Sequence, residues 1–378
     1  MKKILLSFMI MFIFTTLIGC NPKPDYCIEG SVKGVYLCTK EWTTLFDTRI
    51  SLKLYVDSKD RYKVADVYED VYDLLLKYHR YFDKYNPYEG VVNVYTINQN
   101  SSETVVIDEA LFDAIEYVLQ EEQTVKIGND NLFNIALNPI LKIWHDAREN
   151  AACTTDALTA QSVCPVPSSE QLNSSFNINP NDILLNRNNL TIAFAKPNMS
   201  IDLGGFGKGY AAEVVTDYLD QLNIKYILNA GNSNVKAGGI NPNNSDGYYY
   251  IALIEPNLNA YASTTYFIYL KVSGGEAIVT SGNYQRFFIG QQDQKIYHHI
   301  IDPRTHYPGG EVMSVTVISE NGAMADIYST AIYLMTLAEG KTFVEATLGL
   351  EAIWYKEDGT VEYSSGFNQY IYQLFPNR

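Results

Sequence analysis

Three groups of residues carry types and spacings that could do chemistry. The first is Ile201 to Tyr210, IDLGGFGKGY, where Gly204, Gly205, Gly207 and Gly209 surround Lys208. Ala211, Val214, Val215, Tyr218, Leu219 and Leu222 follow at helical spacing, so the glycines form a turn that opens a helix. Glycine there permits positive φ and close backbone approach to a ligand. The N–H groups and dipole of a helix start attract anions, and Lys208 adds charge. The second group is YHHIIDPRTHYP, holding His298, His299 and His306 beside Asp302, Arg304 and Thr305. Alternation along a strand Ile296–Ile301 sends His298 and His299 to opposite faces, leaving one as a candidate base. The third is Asp326 and Thr330, four apart and on one face of an expected helix. A carboxylate and a hydroxyl are hard oxygen ligands suited to Mg²⁺ that keeps waters and bridges to a phosphate.

Each group has a plainer reading. The glycine run is also ordinary strand–turn–helix punctuation. It fails as a Walker A loop, with Asp202 and Gly209 at the required Gly and Ser/Thr positions, and fails as a dinucleotide fingerprint, with Tyr210 or Phe206 where a glycine belongs. A strand-end histidine can simply meet a backbone carbonyl, and an Asp near a helix start is often a cap. Together, though, an anion turn, an oxygen-ligand pair and a base form a phosphoryl-transfer inventory.

Elements must hold these groups in place. Ile50, Leu52, Leu54 and Val56 alternate as a half-buried strand, and Val64, Val67, Val71, Leu75, Tyr78 and Phe82 keep helical spacing. Asp108 caps a helix through Leu111, Ile115 and Leu119, and Asn138-Pro139 enters another toward Trp144. The stretch from Tyr81 to Asn98 is expected as a polar, aromatic loop. Short strands follow at Tyr226–Leu228, Tyr249–Ile254, Phe267–Val272, Ala277–Thr280 and Ser314–Ile318, then a helix from about Met324 to Leu337. Residues 148–180, rich in Ser, Thr, Asn and Pro, are expected as a surface insertion. The mixture implies an α+β fold with mainly antiparallel sheets flanked by helices.

Lys2 and Lys3, an apolar run Ile4–Ile18, and Gly19-Cys20 read as a secretion signal, the run being short for a membrane span of ~20 residues. The small residue before Cys20 resembles a bacterial lipobox. That resemblance implies a signal peptide over 1–19, lipidation at Cys20, a lipidated tether over 20–41 and a lipoprotein on the extracytoplasmic face of the cell membrane. An ordinary cleaved signal or an anchor helix are the alternatives. Four cysteines remain: Cys27, Cys38, Cys153 and Cys164. An even number outside the cytoplasm favours disulfides, and of three pairings the sequential one, eleven residues apart in each case, is expected. None has a metal or redox spacing. A net charge of -15 over 378 residues argues against nucleic acid as a partner.

The motifs resemble the FAD:protein FMN transferases, or ApbE-type flavin transferases. The resemblance runs in order through Ile201-Asp202-Leu203-Gly204-Gly205 with Lys208-Gly209-Tyr210, Asn229-Ala230-Gly231, Thr280-Ser281-Gly282 with Tyr284, His299 to Thr305, Ala325-Asp326 with Thr330, and Ser365-Gly366-Phe367. Phe46, Thr48, Tyr85, Asn98, Asn138-Pro139 and Trp144 extend it more loosely, so it spans about Trp42 to the end. It implies one two-lobed, T-fold-like domain over 42–378 that binds FAD and Mg²⁺ and attaches FMN to a Thr or Ser hydroxyl of an acceptor flavoprotein, releasing AMP. The implied acceptor is a subunit of a membrane redox complex or a secreted flavoprotein. By resemblance Asp326, Thr330 and the Gly205 carbonyl are metal ligands and His299 is the base. Asp202, Gly204, Gly205, Lys208, Asn229, Ala230, Gly231, Ser281, Gly282, Tyr284 and Tyr85 are the flavin-nucleotide contacts. Departures stand at Asp47, Asn232 and His306, where the family has glycine, at Asn283, where it has Asp, and at Glu213, an Asp in the family. Two other readings use the same residues: Mg²⁺-dependent hydrolysis of FAD to FMN and AMP, and a lipid-anchored flavin-binding protein.

Overall fold

Apolar alternation dictates the central sheet. In the computed structural model, which describes residues 26–156, 160–259 and 264–375, Ile50, Leu52, Leu54 and Val56 are the buried face of a strand Thr48–Asp57. Nine strands lie side by side in chain order: Cys27–Glu29, Val35–Leu45, Thr48–Asp57, Lys225–Ala230, Asn234–Gly238, Ala277–Gly282, Ser314–Ser319, Glu351–Tyr355 and Val361–Tyr363. Every neighbouring pair is antiparallel. The fold is α+β, as expected. Sequential antiparallel neighbours need no helical crossover, so long excursions between strands are free to build the rest of the molecule.

One face of the sheet is covered by three helices, Val64–Phe82, Gly207–Gln221 and Gly322–Leu334, sealing a core that includes Val71, Leu75, Val215, Leu219, Ile327 and Ala331. On the other face Val235, Ala237, Ile278, Ile318 and Ile353 pack against a three-stranded sheet of Tyr249–Ile254, Tyr266–Val272 and Ile371–Leu374. A third core gathers Leu137, Ile140, Trp144, Cys164, Leu172, Phe288 and Ile301.

Four expectations change. The stretch expected as a tether as far as 41 already belongs to the sheet. Cys27 lies opposite Cys38 in the first pairing and is disulfide-bonded to it, and Val35–Leu45 pairs with Thr48–Asp57. Polar residues at its exposed positions hid that strand. Cys20 and the signal stretch lie outside the described residues. The expected loop through Asn98 contains a helix Val94–Gln99, started by the Asn93 side chain accepting the Thr96 N–H. The helix expected to reach Leu337 ends at Leu334, because Thr336 and Glu339 form a capping box that begins a new helix, Leu337–Ala346. The strand expected as Ile296–Ile301 stops at His298, where the His298 imidazole accepts the Ile300 N–H and the chain turns.

Candidate functional site

A cleft of about 1050 Å³ opens between the main sheet with its helices and the third core. The glycine turn forms one wall. Asp202 builds it: its Oδ1 accepts the Gly204 N–H at 2.7 Å, and its Oδ2 meets the Lys84 ammonium at 2.6 Å. Lys84 also donates to Asn138 Oδ1 at 2.8 Å, and Asn98 brackets Ile201 with two bonds to its backbone. Asp202 thus lines the cleft with its charge met by Lys84, and it shapes the turn.

The four glycines divide by use. None of them has positive φ, so the conformational freedom expected there is not what the turn requires. Gly204 and Gly205 are exposed on the cleft. Gly207 and Gly209 are buried in contacts that admit no side chain. A Cβ on Gly207 would lie 2.7 Å from the Phe82 ring, and one on Gly209 would lie 2.5 Å from the Gly322 carbonyl oxygen and 2.6 Å from Asp326 Cβ. Close approach at Gly209 brings the Gly207–Gln221 helix onto the Gly322–Leu334 helix.

That crossing sets Asp326. It does not cap its own helix; Asn321 does that. Instead its Oδ2 accepts the Gly209 N–H at 2.8 Å, at the start of the neighbouring helix. Burial raises the Asp326 pKa, opposed by the Lys208 charge and the Gly209 N–H. Thr330, one turn on, donates to the Asp326 carbonyl at 3.3 Å, and Ser281 lies 3.4 Å from its hydroxyl and 2.9 Å from Ser329 Oγ. Asp326, Thr330 and Gly205 all line the cleft. Among the described residues no three His, Cys, Asp or Glu side chains gather as a metal cage. One buried carboxylate with a hydroxyl beside it fits Mg²⁺, which keeps waters and shares a substrate phosphate.

Across the cleft, His298 and His299 diverge as expected. His298 is buried against Tyr333, and desolvation pushes its pKa down to about 4. His299 opens onto the cleft. The surrounding walls push its pKa down to about 3, and Arg286, His298, Lys208 and Arg148 act in the same direction. Cleft water softens the burial cost for so open a ring, but the neighbouring cations keep the direction. The imidazole is neutral at pH 7 and able to take a proton.

The cleft lining carries Lys84, Arg148, Lys208 and Arg286 beside Asp47, Asp83, Glu149, Asp202 and Asp326, so its charges nearly balance within an acidic chain. The side chains of Lys208 and Arg286 line the cleft with no ion pair or hydrogen bond among the described residues, and Arg148 joins them while held to Glu149 at 3.1 Å. With Lys84 held by Asp202 and Arg148 by Glu149, Lys208 and Arg286 are the cations left to meet an anion in the cleft.

Gly231, Ser281, Gly282, Tyr284 and Tyr85 also line the cleft. Tyr85 is exposed, its ring 5.1 Å from that of His145, with the Lys84 ammonium 5.1 Å from its centroid. Asn229 and Ala230 are not in the wall. Ala230 is buried, and Asn229 Oδ1 accepts the Asn232 N–H at 2.9 Å, shaping the turn that delivers Gly231. Gly231 has φ 74°, and a Cβ there would meet the Thr48 hydroxyl at 2.5 Å. Lys84, Arg148, Arg286 and Ser233 were not foreseen. Arg286 lies two residues beyond Tyr284, but nothing in its local sequence distinguishes it from any surface arginine.

The three positions where glycine was expected share one property. Asp47, Asn232 and His306 have φ of 50°, 58° and 64°. Each occupies the left-handed region that glycine enters freely and other residues enter at a cost. The turns are kept and the strain is met locally, by the Asn229 cap at Asn232 and by a bond from His306 Nδ1 to the Leu172 carbonyl oxygen at 2.9 Å. Glu213 bridges the Lys236 ammonium at 2.6 Å and the Gly322 N–H at 2.7 Å, tying the two helices at their crossing. Asn283 leaves its Oδ1 buried without a partner.

Residues 46–354 match the model of the ApbE family. An FAD:protein FMN transferase from Klebsiella pneumoniae is 27% identical over 296 residues, covering 76% of this chain and 84% of that protein. One from Vibrio cholerae is 32% identical over 211 residues, 54% of this chain and 60% of that one. Among solved structures, the ApbE protein of Thermotoga maritima superposes with a TM-score of 0.71 at 24% identity, covering 89% of this chain and all of that one (100%). The flavin transferase ApbE from Vibrio cholerae superposes with a TM-score of 0.66 at 21% identity, covering 88% and 99%. The structural likenesses establish the fold, and the family match spans most of the chain and every cleft-lining residue except Thr44. The chain belongs to the ApbE family.

Proposed function

We propose that this protein is an enzyme that transfers FMN from FAD to a Thr or Ser hydroxyl of an acceptor flavoprotein, with Mg²⁺ at Asp326 and Thr330 and with release of AMP. The observation that carries this reading is the convergence, in one cleft, of His299, the Asp326–Thr330 oxygen pair, and the side chains of Lys208 and Arg286, which have no ion-pair partner among the described residues. The relatives' names support it.

Lys208 and Arg286 attract the pyrophosphate of FAD, and exposed Gly204 and Gly205 let it approach the backbone without a Cβ between. Asp326, Thr330 and the Gly205 carbonyl would hold the ion, which neutralises phosphate charge when bound. His299 accepts the proton of the acceptor hydroxyl as that oxygen bonds to the FMN phosphorus and the bond to AMP breaks. A Thr hydroxyl is a poor nucleophile near neutral pH, so this proton acceptor is needed. An acceptor that must reach His299 enters from the open mouth of the cleft. By the same reading, with the lipobox-like Cys20 as its support, the mature protein is anchored by acyl chains on the extracytoplasmic face of the cell membrane. Its acceptor there is a subunit of a membrane redox complex or a secreted flavoprotein.

The test is to incubate purified protein with FAD, Mg²⁺ and a Thr-bearing acceptor. We expect a flavin-fluorescent acceptor band and AMP, both lost in Asp326→Ala. An unchanged rate in that variant would remove the metal assignment. FAD consumed equally fast without acceptor, with no labelled protein, would make the protein an FAD pyrophosphatase.

A further inference from the structure

The chain that leads into His299 is a two-stranded ribbon, Phe287–Gly290 paired antiparallel with Ile296–His298. Arg286 precedes its first strand and His299 follows its second. A lone ribbon of this kind is marginally stable in water and needs further strands or a packed face. The cysteine-bearing insertion supplies the further strands, and it shares the packed face with the helix Asn138–Arg148, whose Trp144 ring lies 5.3 Å from that of Tyr297 and 6.2 Å from that of Phe288. Ser162–Cys164 adds in parallel beside Phe287–Gly290, with Val163 opposite Ile289 and Cys164 opposite Gly290, and Thr154–Thr155 pairs beyond it. The Gln291 N–H donates to the Cys164 carbonyl at 2.9 Å, and the Val166 N–H donates to the Gln292 side chain at 3.1 Å. The Cys153–Cys164 disulfide closes the insertion, with Cys164 fully buried in the third core beside Phe288.

A second attachment reaches the turn after His299. His306 Nδ1 bonds the Leu172 carbonyl oxygen of the insertion at 2.9 Å, and Trp144 Nε1 donates to the His306 carbonyl at 2.8 Å. The insertion thus grips the His299 segment at both ends. Beyond Glu149, none of its described residues lines the cleft, so it acts only through what it holds.

We propose that the insertion is a positioning element for His299 and Arg286, with Cys153, Cys164 and His306 as its positioning residues. Its kinetic consequence rests on the transferase reading above; its structural consequence does not. Two variants test it. The double variant Cys153→Ser/Cys164→Ser removes the covalent closure. His306→Gly keeps the left-handed backbone and removes only the imidazole. Cys27→Ser/Cys38→Ser, at the far edge of the main sheet, is the control.

Amide exchange at Phe287–His298 is expected to quicken roughly tenfold in the double variant and a few-fold in His306→Gly, while exchange in Lys225–Ala230 stays unchanged. With FAD, Mg²⁺ and acceptor, kcat is expected to fall roughly tenfold in the double variant, by more than KM for FAD rises, since small misplacement of a reacting group is costly. The control is expected to alter neither. Hairpin exchange equal to wild type in both insertion variants would overturn the proposal, as would an equal increase in the control. If the double variant does not fold, His306→Gly decides. If wild type transfers no FMN, the transferase reading falls while the exchange data still decide the brace.

Discussion

Gly209→Ala separates what helix propensity says from what packing says. Gly209 lies in the first turn of the Gly207–Gln221 helix without positive φ, so alanine fits its backbone. Propensity alone gives a gain of up to about 1 kcal/mol. In the folded protein the new Cβ would stand 2.5 Å from the Gly322 carbonyl oxygen and 2.6 Å from Asp326 Cβ. Neither is the end of a flexible side chain, so the two helices must separate. Overpacking of this kind costs about 1–3 kcal/mol. Separation also stretches the 2.8 Å bond from the Gly209 N–H to the buried Asp326 carboxylate, worth about 1.5–3 kcal/mol if lost. With a propensity gain of about 1 kcal/mol set against both costs, the net expectation if the bond is lost is a loss of about 1.5–5 kcal/mol, a large share of the stability of a typical domain. The same shift moves Asp326, so the Mg²⁺ concentration giving half-maximal activity should rise. Urea unfolding gives the first quantity and an Mg²⁺ titration of flavin transfer the second. Gly204→Ala is the comparison: its Cβ would meet only the Asp202 side chain, at 3.0 Å, and stability should barely change. A Gly209→Ala protein as stable as wild type with an unchanged Mg²⁺ requirement would refute the reasoning.

Two further outcomes follow from buried titrating groups. With its pKa held below the ordinary histidine value by the walls and neighbouring cations, His299 stays a base as pH falls to 6.5, so kcat/KM for transfer should show no acid limb centred there; an inflection near 6.5 that vanishes in His299→Gln would contradict this. Glu122 is fully buried with one carboxyl oxygen unpartnered, and desolvation pushes its pKa up to about 8. The folded state therefore keeps a proton that the unfolded chain releases above about 4.5, and stability falls as pH rises from there toward 8. Glu122→Gln, neutral throughout, should gain stability over wild type in urea unfolding at pH 8 and not at pH 4; equal differences at the two pH values would show that the carboxyl is ionised in the fold.

Much of the scaffold was legible because its signals are local. The spacing of Val64 to Phe82, the alternation of Ile50 to Val56, and Pro139 in the first turn of the helix Asn138–Arg148 each report a periodicity or a helix start that neighbours in sequence can satisfy. The strand Val35–Leu45 was not legible, since its exposed face is polar and its partners come from the sheet. Nor was the separate helix after Thr336, whose capping box competes with a continuous apolar run. Within the cleft, motif residues such as His299, Asp326 and Lys208 stood out by type and spacing, whereas Lys84, Arg148 and Arg286 are ordinary charges until the fold turns them to one opening.

By itself the sequence determined the α+β class, the family resemblance and the chemical types gathered for phosphoryl transfer, because composition, periodicity and motif are properties of neighbouring residues. Only the tertiary structure decided how those residues are used. It set Asp202 against Lys84 at the turn, split the glycines into two exposed on the cleft and two buried at the start of the Gly207–Gln221 helix, and set Asp326 against the Gly209 amide. It also paired a strand of the cysteine-bearing surface insertion beside Phe287–Gly290. Each of these depends on atoms far apart in the chain meeting within a few ångströms, which only the packed fold can bring about.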